Sequence, residues 1–309
     1  MTLRVRLGAG RHLGHCYQTP TNTYKNLQDV YESAFMTDTV DIRTLLARAT
    51  AITSSKNTTI KTLVRLKTRK YRQQEGRFLI EGMREVSRAV AAGVRLEGVY
   101  LCAKFAPQMV PDVGDVPVFD VSDVAFTKLS LRQSPDGVIA VAQRQQKTLE
   151  TLPAHPNGLY LVIDGLEKPG NIGALLRTAD SAGVDAVFVT GTGTDLENPN
   201  VIRASMGSVF RQVIACDTNA LRDWLLEHQV QVIATSPQAE KNYWQQDYVL
   251  ATAIVLGTEH EGLGEGWLEH ADIRVVIPMF GSADSLNVAT SGALLLYEAL
   301  RQRHASGQT

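Results

Sequence analysis

The segment "IPMFGSADSLNVATSGALLLYEAL", residues 277–300, is the stretch of this sequence that decides the fold. It reads as the end of a buried strand, a loop rich in Gly and Ser, and a long apolar helix. A polar run, Asp284 to Asn287, lies between the strand and the helix. Ser285 or Asn287 could cap the helix, because their oxygens can accept from the free N–H groups of its first turn. The other reading is that these side chains face a reaction centre, and the run alone does not decide between the two.

Strands and helices alternate along the chain from residue 157 to residue 309. The strand-like runs are "LYLVIDGL", "AVFVTG", "QVIAC", "VQVIATS", "ATAIVLG" and "IRVVIPM". Between the first of them lie the helical patterns "NIGALLRTADSAG", "PNVIRASMGSVF" and "NALRDWLLEH". Strands that are apolar on both faces and alternate with helices predict a parallel sheet covered on both sides. This half is therefore expected to be an α/β domain.

The first half of the chain has a different organisation. Residues 41–145 mix the helical patterns "DIRTLLARATAI" and "MREVSRAVAAGV" with the strand-like runs "LEGVYLC", "VPVFDVS" and "DGVIAVAQ". Residues 146–156 are polar and read as a linker, and residues 1–40 are polar without periodicity, which predicts a disordered extension. A chain of 309 residues is long enough for the two domains that this organisation predicts.

The charge of the chain limits how it could bind nucleic acid. The net charge is −1 at pH 7, so an RNA or DNA partner must be met by a local basic patch rather than by the overall field. The run "KNTTIKTLVRLKTRKYR", residues 56–72, has seven Lys or Arg residues and no acidic residue. Its candidate RNA-binding residues are Lys67, Arg69, Lys70 and Arg72. The alternative is that the run forms an ordinary solvated helix face.

Cysteine usage and hydropathy bear on the compartment. The three cysteines, Cys16, Cys102 and Cys216, are far apart in the sequence and odd in number. This spacing disfavours a disulfide framework and a cysteine zinc site, and it suits a reducing cytoplasm. No apolar run approaches the length of a membrane-spanning helix. We therefore expect a cytoplasmic protein without a membrane partner and without a bound metal.

Three polar loops follow strands of the predicted parallel sheet. They are "EKPGNIGALLRTA", with Asn171 and Arg177, "TEHEGLGEG", with Glu259, and the loop of residues 280–287. In an open parallel sheet, ligands bind beyond the carboxyl ends of the strands, so these loops are expected to converge on one site. The chain lacks the glycine-rich signatures of dinucleotide and P-loop nucleotide sites, which argues against those ligands.

The ordered trio "PGNIGALLRTA", "VLGTEHEGLG" and "IPMFGSADSLNVATSGALLLYEAL" resembles the three motifs of the SpoU/TrmH family. Members of this family, in the SPOUT superfamily, are S-adenosylmethionine-dependent RNA ribose 2′-O-methyltransferases. The stretch that begins "TIKTLVRLKTRKYR" resembles the ribosomal-protein-like α/β domain that binds substrate in the same family. The resemblance implies a parallel sheet with a deep trefoil knot, a homodimer, and active sites to which both subunits contribute.

The resemblance also implies roles for residues of this sequence. The implied catalytic residues are Arg177, Asn171, Glu259, Ser285 and Asn287, with Arg177 acting on the developing alkoxide or the adjacent phosphate. Arg203 is implied to hold RNA phosphate, whereas His260 departs from the family pattern and receives no role. The implied methyl-donor pocket consists of Thr235, Ser236, Gly257, Ile277, Met279, Leu286, Val288 and Ala289.

Two classes of function remain open on the sequence alone. The first is S-adenosylmethionine-dependent methylation of a ribose 2′-hydroxyl in RNA, with 23S rRNA as the expected substrate and tRNA as the alternative. The second is a non-catalytic RNA-binding or ribosome-assembly factor on the same scaffold. The presence of Arg177, Glu259, Ser285 and Asn287 favours the enzyme, because a protein that had lost activity would be free to lose them.

Overall fold

The computed structural model describes residues 38–258 and 262–307. Most of the predicted N-terminal extension, up to residue 37, lies outside the described residues, as do Glu259 and His260.

The second half of the chain forms a seven-stranded sheet in which every pair of neighbours is parallel. Its strands are β8 (Leu159–Asp164), β9 (Ala186–Thr190), β10 (Val213–Ala215), β11 (Gln231–Thr235), β12 (Lys241–Asn242), β13 (Thr252–Leu256) and β14 (Ile273–Val276). Their order across the sheet is β10, β9, β8, β13, β11, β14, β12. The predicted parallel α/β fold is therefore confirmed. The trefoil knot implied by the resemblance stays a prediction.

The central strands of this sheet are apolar on both faces, and helices cover both of these faces. Strands β9 and β13 are buried along their whole length, as expected of a sheet with helices on both faces. The helices of this half are α6 (Pro169–Ser181), α7 (Pro199–Ala204), α8 (Thr218–Glu227), α9 (Glu265–His270) and α10 (Val288–Ala305). On one face, Trp224 of α8 meets the ring of Tyr160 edge-on, with centroids 5.5 Å apart.

Helices α6 and α10 pack closely on the other face, and this packing positions the candidate site. A Cβ atom at Gly292 of α10 would lie 2.4 Å from Cδ2 of Leu175 in α6. Glycine inside a helix is destabilising by roughly 0.5–1 kcal/mol relative to alanine, but here it allows the approach. The N-termini of the two helices thereby reach the same edge of the sheet.

The first half forms a five-stranded mixed sheet and a small antiparallel pair. The mixed sheet has the order β2, β6, β4, β7, β3, and the pair joins β1 to β5. The strands are β1 (Thr39–Asp41), β2 (Thr50–Ile52), β3 (Arg77–Glu81), β4 (Leu96–Leu101), β5 (Met109–Pro111), β6 (Val118–Val121) and β7 (Val138–Gln143). The helices are α1 (Ile42–Leu46), α2 (Thr58–Arg65), α3 (Arg69–Glu75), α4 (Met83–Ala91) and α5 (Asp123–Leu129).

One helix predicted in this half was wrong in its extent. The pattern "DIRTLLARATAI" predicts a single helix, but the helix ends at Leu46 and Thr50–Ile52 forms an edge strand. Thr50 and Ile52 are β-branched, and their strand pairs in parallel with β6, with Thr50 opposite Phe119. Pairing with β6, which is distant in the sequence, therefore determines the conformation of residues 50–52 in spite of the helical spacing of the local sequence.

The two sheets belong to one compact unit. The ring of Phe78 in β3 stacks on that of Phe210 with centroids 6.2 Å apart, which joins the cores of the two halves. Within the predicted linker, Leu149 is buried in the same apolar cluster as Tyr160 and Trp224. The domain boundaries at residues 145 and 157 stay a proposal, and the segment between them is packed against the second half.

Candidate active site

The polar loops predicted to converge do so at the carboxyl edge of the larger sheet. Strands β8, β13, β11 and β14 are consecutive neighbours, so the segments that follow them leave the sheet side by side. These segments begin at Gly165, Gly257, Ser236 and Ile277. Because all of the strands are parallel, no strand in this part of the sheet runs back to separate them. The loop convergence predicted from the sequence is confirmed.

These loops enclose a cavity of about 580 Å³. This volume lies within the range of small-molecule sites, roughly 300–1,000 Å³. Its walls include eight of the residues assigned to the active site from the sequence. They are Thr235, Ser236, Gly257, Ile277, Met279, Ser285, Leu286 and Val288. The lining therefore combines apolar side chains with several polar groups, which include the carboxylate of Asp284 as well as hydroxyl groups.

Gly257 shows how closely the backbone surrounds this cavity. A Cβ atom at this position would lie 2.1 Å from the carbonyl oxygen of Gly262 and 2.6 Å from the nitrogen of Leu263. The next residue, Thr258, exchanges two backbone hydrogen bonds with Gly262, at 2.9 and 3.1 Å. Gly257 is therefore required by close packing of main chain on main chain. The main chain at Gly257, Thr258 and Gly262 forms one wall of the cavity.

A second cavity of about 520 Å³ opens beside the first. It is lined by Asn171, by Asp164 at the end of β8 and by the following residues 165–168. Thr258 and Gly262 line both cavities and therefore lie between them. The two cavities therefore adjoin each other.

Asn287 connects the loops of the two cavities and answers the question raised by the polar run. Its side-chain Oδ1 accepts from the N–H of Ala289 at 2.9 Å and caps α10. Its Nδ2 donates to Oδ1 of Asn171 at 3.1 Å. One side chain therefore caps α10 and contacts a residue that lines the second cavity, while Ser285 lines the first cavity. A catalytic role for Asn287 and Ser285 stays a prediction.

The remaining candidate residues lie in different surroundings. Arg177 is exposed on α6 and lines neither cavity among the described residues. Ala289 packs against the apolar core, and its N–H makes the capping bond of Asn287. Glu259 lies outside the described residues, so its role stays a prediction.

The basic run of residues 56–72 divides into inward and outward side chains. Arg72 is buried, donates to the carbonyl oxygen of Leu66 at 2.8 Å and forms an ion pair with Asp195. Lys67 donates to the carbonyl oxygens of Lys128 and Ser130, and burial lowers its pKa. These two cations, predicted to bind RNA, are thus engaged within the protein.

The other predicted RNA-binding cations are at the surface. Arg69 is exposed and donates to the carbonyl oxygen of Gly193 at 2.9 Å. Lys70 and Arg203 are exposed, and Arg203 lies 3.3 Å from Oδ1 of Asn200. Lys56, Lys61 and Arg65 of the same basic run are also exposed, although the sequence analysis did not select them.

Several lining residues were missed by the sequence analysis. The first cavity also includes Pro237, Gln238, Thr258, Leu263 and Ser291, and the second includes Asp164, Glu167, Lys168 and Thr192. Most of them lie at or just after the end of a strand of the parallel sheet. That position is the signal that could have identified them. Among the described residues, no group of three or more His, Cys, Asp or Glu side chains is suited to a metal ion.

Comparison with known proteins defines the family of the chain. Residues 158–297 match the model of the SpoU rRNA methylase family, and residues 57–140 match that of the MRM3-like substrate binding domain. A 23S rRNA (guanosine(2553)-2′-O)-methyltransferase of Bacillus subtilis is 32% identical over 80% of this chain and 97% of its own length. The chain belongs to the SpoU rRNA methylase family, and the resemblance stated from its motifs is confirmed.

Solved structures agree with this assignment. The crystal structure of an RNA 2′-O ribose methyltransferase is 45% identical, with a TM-score of 0.71 over 82% of this chain and 99% of its own. An AdoMet-bound rRNA methyltransferase from Sinorhizobium meliloti has a TM-score of 0.75 at 27% identity, over 82% and 98% of the two chains. Separately, no helix in the described part of the chain has the length and apolar character needed to cross a membrane.

The first cavity fits S-adenosylmethionine, the methyl donor of the family. Its floor is main chain drawn together at Gly257, and its walls carry Ile277, Met279 and Leu286. An adenine ring needs apolar walls and main-chain N–H and C=O groups at its edge. The hydroxyls of Thr235 and Ser236, at the end of β11, offer further polar contacts on the same side.

Proposed function

We propose that this protein transfers a methyl group from S-adenosylmethionine to a ribose 2′-hydroxyl of RNA, and that 23S rRNA is its substrate. The observation that carries the proposal is the hydrogen bond from Asn287 to Asn171. It joins the loop of the donor cavity to the loop of the second cavity, where the acceptor ribose would lie. Family membership and the names of the relatives support the same activity.

The donor cavity orients the cofactor. Bound S-adenosylmethionine supplies a methyl group already activated by the positive charge of its sulfonium. Main chain at Gly257 and the side chains of Ile277, Met279, Leu286 and Val288, which line the cavity, would hold the nucleoside part. Ser285 lies at the cavity wall near the capped start of α10.

The acceptor side has the harder task, because a ribose hydroxyl is a weak acid. Ionising a hydroxyl whose pKa lies about five units above the ambient pH costs roughly 7 kcal/mol. A fixed cation near the hydroxyl and a well-positioned ribose reduce this cost as negative charge develops on the oxygen. We assign the cation to Arg177, whose guanidinium forks well onto phosphate, and the positioning of the ribose to Asn171. Glu259 would brace the main chain between the two cavities.

The exposed position of Arg177 is consistent with a homodimer. An exposed arginine that lines neither cavity of its own chain is free to enter an acceptor site completed at a subunit interface. We therefore propose that two subunits pair, and that Arg177 of one acts at the acceptor cavity of the other. Exposed cations of the basic run, with Lys70 and Arg203, would hold RNA phosphates. The proposed substrate implies action in the cytoplasm.

One experiment tests this function against the alternatives. The purified protein is incubated with radiolabelled S-adenosylmethionine and, separately, with 23S rRNA, 16S rRNA and total tRNA, and modified positions are mapped by resistance of 2′-O-methylated linkages to alkaline cleavage. We expect incorporation into 23S rRNA at one position. Incorporation only into tRNA would show that tRNA, and not 23S rRNA, is the substrate. RNA binding without incorporation into any RNA, free or assembled into subunits, would identify a non-catalytic factor.

A further inference from the structure

A third cavity, of about 380 Å³, lies on the five-stranded sheet and is separate from the two cavities of the candidate active site. One of its walls is the first part of helix α2, through Thr58, Thr59 and Thr62. The opposite wall is the sheet, at Gly98, Tyr100 and Phe119. The family model matched by this half describes a substrate-binding domain. Nothing in that match assigns a function to this cavity.

The sheet side of the cavity is aromatic. Tyr100 of β4 and Phe119 of β6 are direct neighbours in the parallel pair, and their rings stack with centroids 4.7 Å apart at an angle of 12°. Tyr100 is buried, whereas Phe119 is half-buried, so the ring that a ligand can reach is that of Phe119.

Gly98 allows the ring of Phe119 to lie close to strand β4. A Cβ atom there would lie 3.1 Å from Cε2 of Phe119, which is tight for a side-chain contact. Glycine within a strand often marks a place where another group approaches closely. Gly98 therefore accommodates the ring of Phe119, which forms the aromatic surface of the cavity.

The rim of the cavity is polar and is shaped by a break in strand register. The pairing of β4 with β7 shifts between Leu96 and Gly98, which makes Glu97 the extra residue of a β-bulge. Bulges turn side chains in new directions and are frequent beside functional sites. Glu97 accepts from Nε2 of Gln143 at 2.8 Å and lies 3.4 Å from Nη1 of Arg77. Both Glu97 and Arg77 line the cavity.

The charge around the cavity favours a nucleic-acid ligand. The exposed cations Lys56, Lys61 and Arg65 lie on or beside α2, and the whole run 56–72 has no acidic residue. A flat aromatic wall, a rim with an acceptor and a donor, and flanking cations match a base with its neighbouring phosphates. Unpaired RNA bases are commonly recognised by stacking on aromatic side chains and by hydrogen bonds at their edges.

We propose that this cavity binds one unpaired nucleobase of the RNA substrate. Phe119 stacks on the base, Glu97 and Arg77 contact its edge, and the cations of α2 hold the flanking phosphates. Phosphate contacts position an RNA, whereas contacts to base edges select its sequence. The cavity would therefore make the first domain a sequence-reading element. The inference rests on the proposed function, because it takes RNA as the substrate.

The test uses the full-length protein and variants of the cavity. Phe119→Leu keeps an apolar side chain but removes the stacking ring, and Glu97→Gln keeps the shape but removes the carboxylate. Glu75→Gln is the matched control, because Glu75 also pairs with Arg77 but is not among the residues that line the cavity. The probes are fluorescent oligoribonucleotides of adenine, cytosine, uracil and mixed sequence, and a blunt RNA duplex of equal length. All are measured by anisotropy at one salt concentration.

We expect Phe119→Leu to weaken the binding of single strands about five-fold or more, as removal of a stacked aromatic does. Glu97→Gln should change the ranking of the four single strands. Neither variant should change duplex binding, and Glu75→Gln should match the wild type in every assay. Unchanged single-strand binding in Phe119→Leu, or an equal loss for single strands and duplex, would overturn the proposal.

Methyl transfer by the wild type to 23S rRNA, measured in parallel, separates this inference from the proposed function. If the wild type transfers methyl and Phe119→Leu does so with the same KM, the base site is wrong and the function stands. If the wild type transfers none, the function fails, whereas a selective loss of single-strand binding would still support the base site.

Discussion

Arg72 and Asp195 form a nearly buried ion pair between the two halves of the protein. The Nη2 to Oδ2 distance is 2.5 Å, and the side chains are 5% and 11% exposed. Arg72 lies on α3, and Asp195 lies in the segment after β9. Thr192 of that segment lines the second cavity, and Thr194 donates from its hydroxyl to the carbonyl oxygen of Leu166. The pair therefore connects the substrate-binding half to a wall of the proposed acceptor site.

Breaking this ion pair should destabilise the protein. Arg72→Ala leaves the Asp195 carboxylate buried without its partner, for which we expect a loss of about 3–5 kcal/mol in the free energy of unfolding. The double variant Arg72→Met with Asp195→Leu should lose less, because no buried charge remains unpaired. Guanidinium denaturation measures both. Arg43→Ala is the control, since the pair of Arg43 with Asp41 is exposed and should contribute nothing measurable. Equal losses in Arg72→Ala and the control would contradict this account.

The two hydrogen bonds of Asn287 can be separated by substitution. Asn287→Asp retains the acceptor that caps α10 but loses the N–H group that donates to Asn171. We expect its stability to remain close to that of the wild type. Its kcat should fall about ten-fold or more, because the two loops are no longer held in a fixed position relative to each other. Asn287→Ala should lose the same activity and also about 1 kcal/mol of stability through the missing cap. Methyl-transfer kinetics and denaturation together check this, and full activity in Asn287→Asp would show that Asn287 only caps the helix.

Local sequence patterns predicted most of the larger sheet, because its strands are apolar runs and its helices have clear periodicity. They did not predict the order of the strands. Strand β13 lies between β8 and β11, which depends on chain crossings that no local pattern records. The contact of Asn171 with Asn287 spans 116 residues of sequence. Only the resemblance to the family motifs predicted that these two residues belong to the same site. The resemblance thus supplied what periodicity could not.

The basic run shows the opposite case, in which composition suggested a surface that folding partly removed. Seven cations without an acid look like a phosphate-binding face. Arg72 is nevertheless buried, because folding brings it against Asp195. This partner lies 123 residues further along the chain, so the local sequence does not reveal it. Lys67 likewise donates to carbonyl groups at the end of α5, which are also distant in the sequence. Charge counts predict the sign of a surface, whereas the direction of each side chain depends on distant partners.

Gly257 should be essential for donor binding. In Gly257→Ala the new Cβ would meet the carbonyl oxygen of Gly262 at 2.1 Å, so the turn from Thr258 to Gly262 must shift. Overpacking of this kind costs about 1–3 kcal/mol, and we expect the Kd for S-adenosylmethionine to rise about ten-fold or more. Gly281→Ala is the matched control, because a Cβ at Gly281 meets nothing within 4 Å. Calorimetry on both variants tests this, and equal affinities would show that the turn does not shape the donor cavity.

Glu85 should make the stability of the protein depend on pH. Burial raises the pKa of this carboxyl, although Arg132 lies 3.6 Å away. A group with a raised folded-state pKa contributes stability below its unfolded pKa, and that contribution is lost as pH rises through the folded pKa. At neutral pH the charged form is therefore unfavourable. Glu85→Gln should stabilise the protein at neutral pH, with a smaller difference near pH 4. Denaturation at both pH values measures this, and a destabilised variant at neutral pH would show that pairing with Arg132 dominates.

Arg177 should be required for methyl transfer but not for donor binding. It is exposed on α6 and lies outside the donor cavity, so Arg177→Ala should leave the Kd for S-adenosylmethionine unchanged. Loss of a cation that stabilises a developing alkoxide lowers kcat by about 10²–10³. Arg177→Lys should recover only part of this, because an ammonium group lacks the forked geometry of guanidinium. Mixing Arg177→Ala subunits with Asn287→Asp subunits then tests the shared site. If each active site takes Arg177 from the partner subunit, heterodimers contain one intact site and activity reappears in the mixture. If the mixture stays as inactive as its components, Arg177 acts within its own subunit and the proposed sharing is wrong.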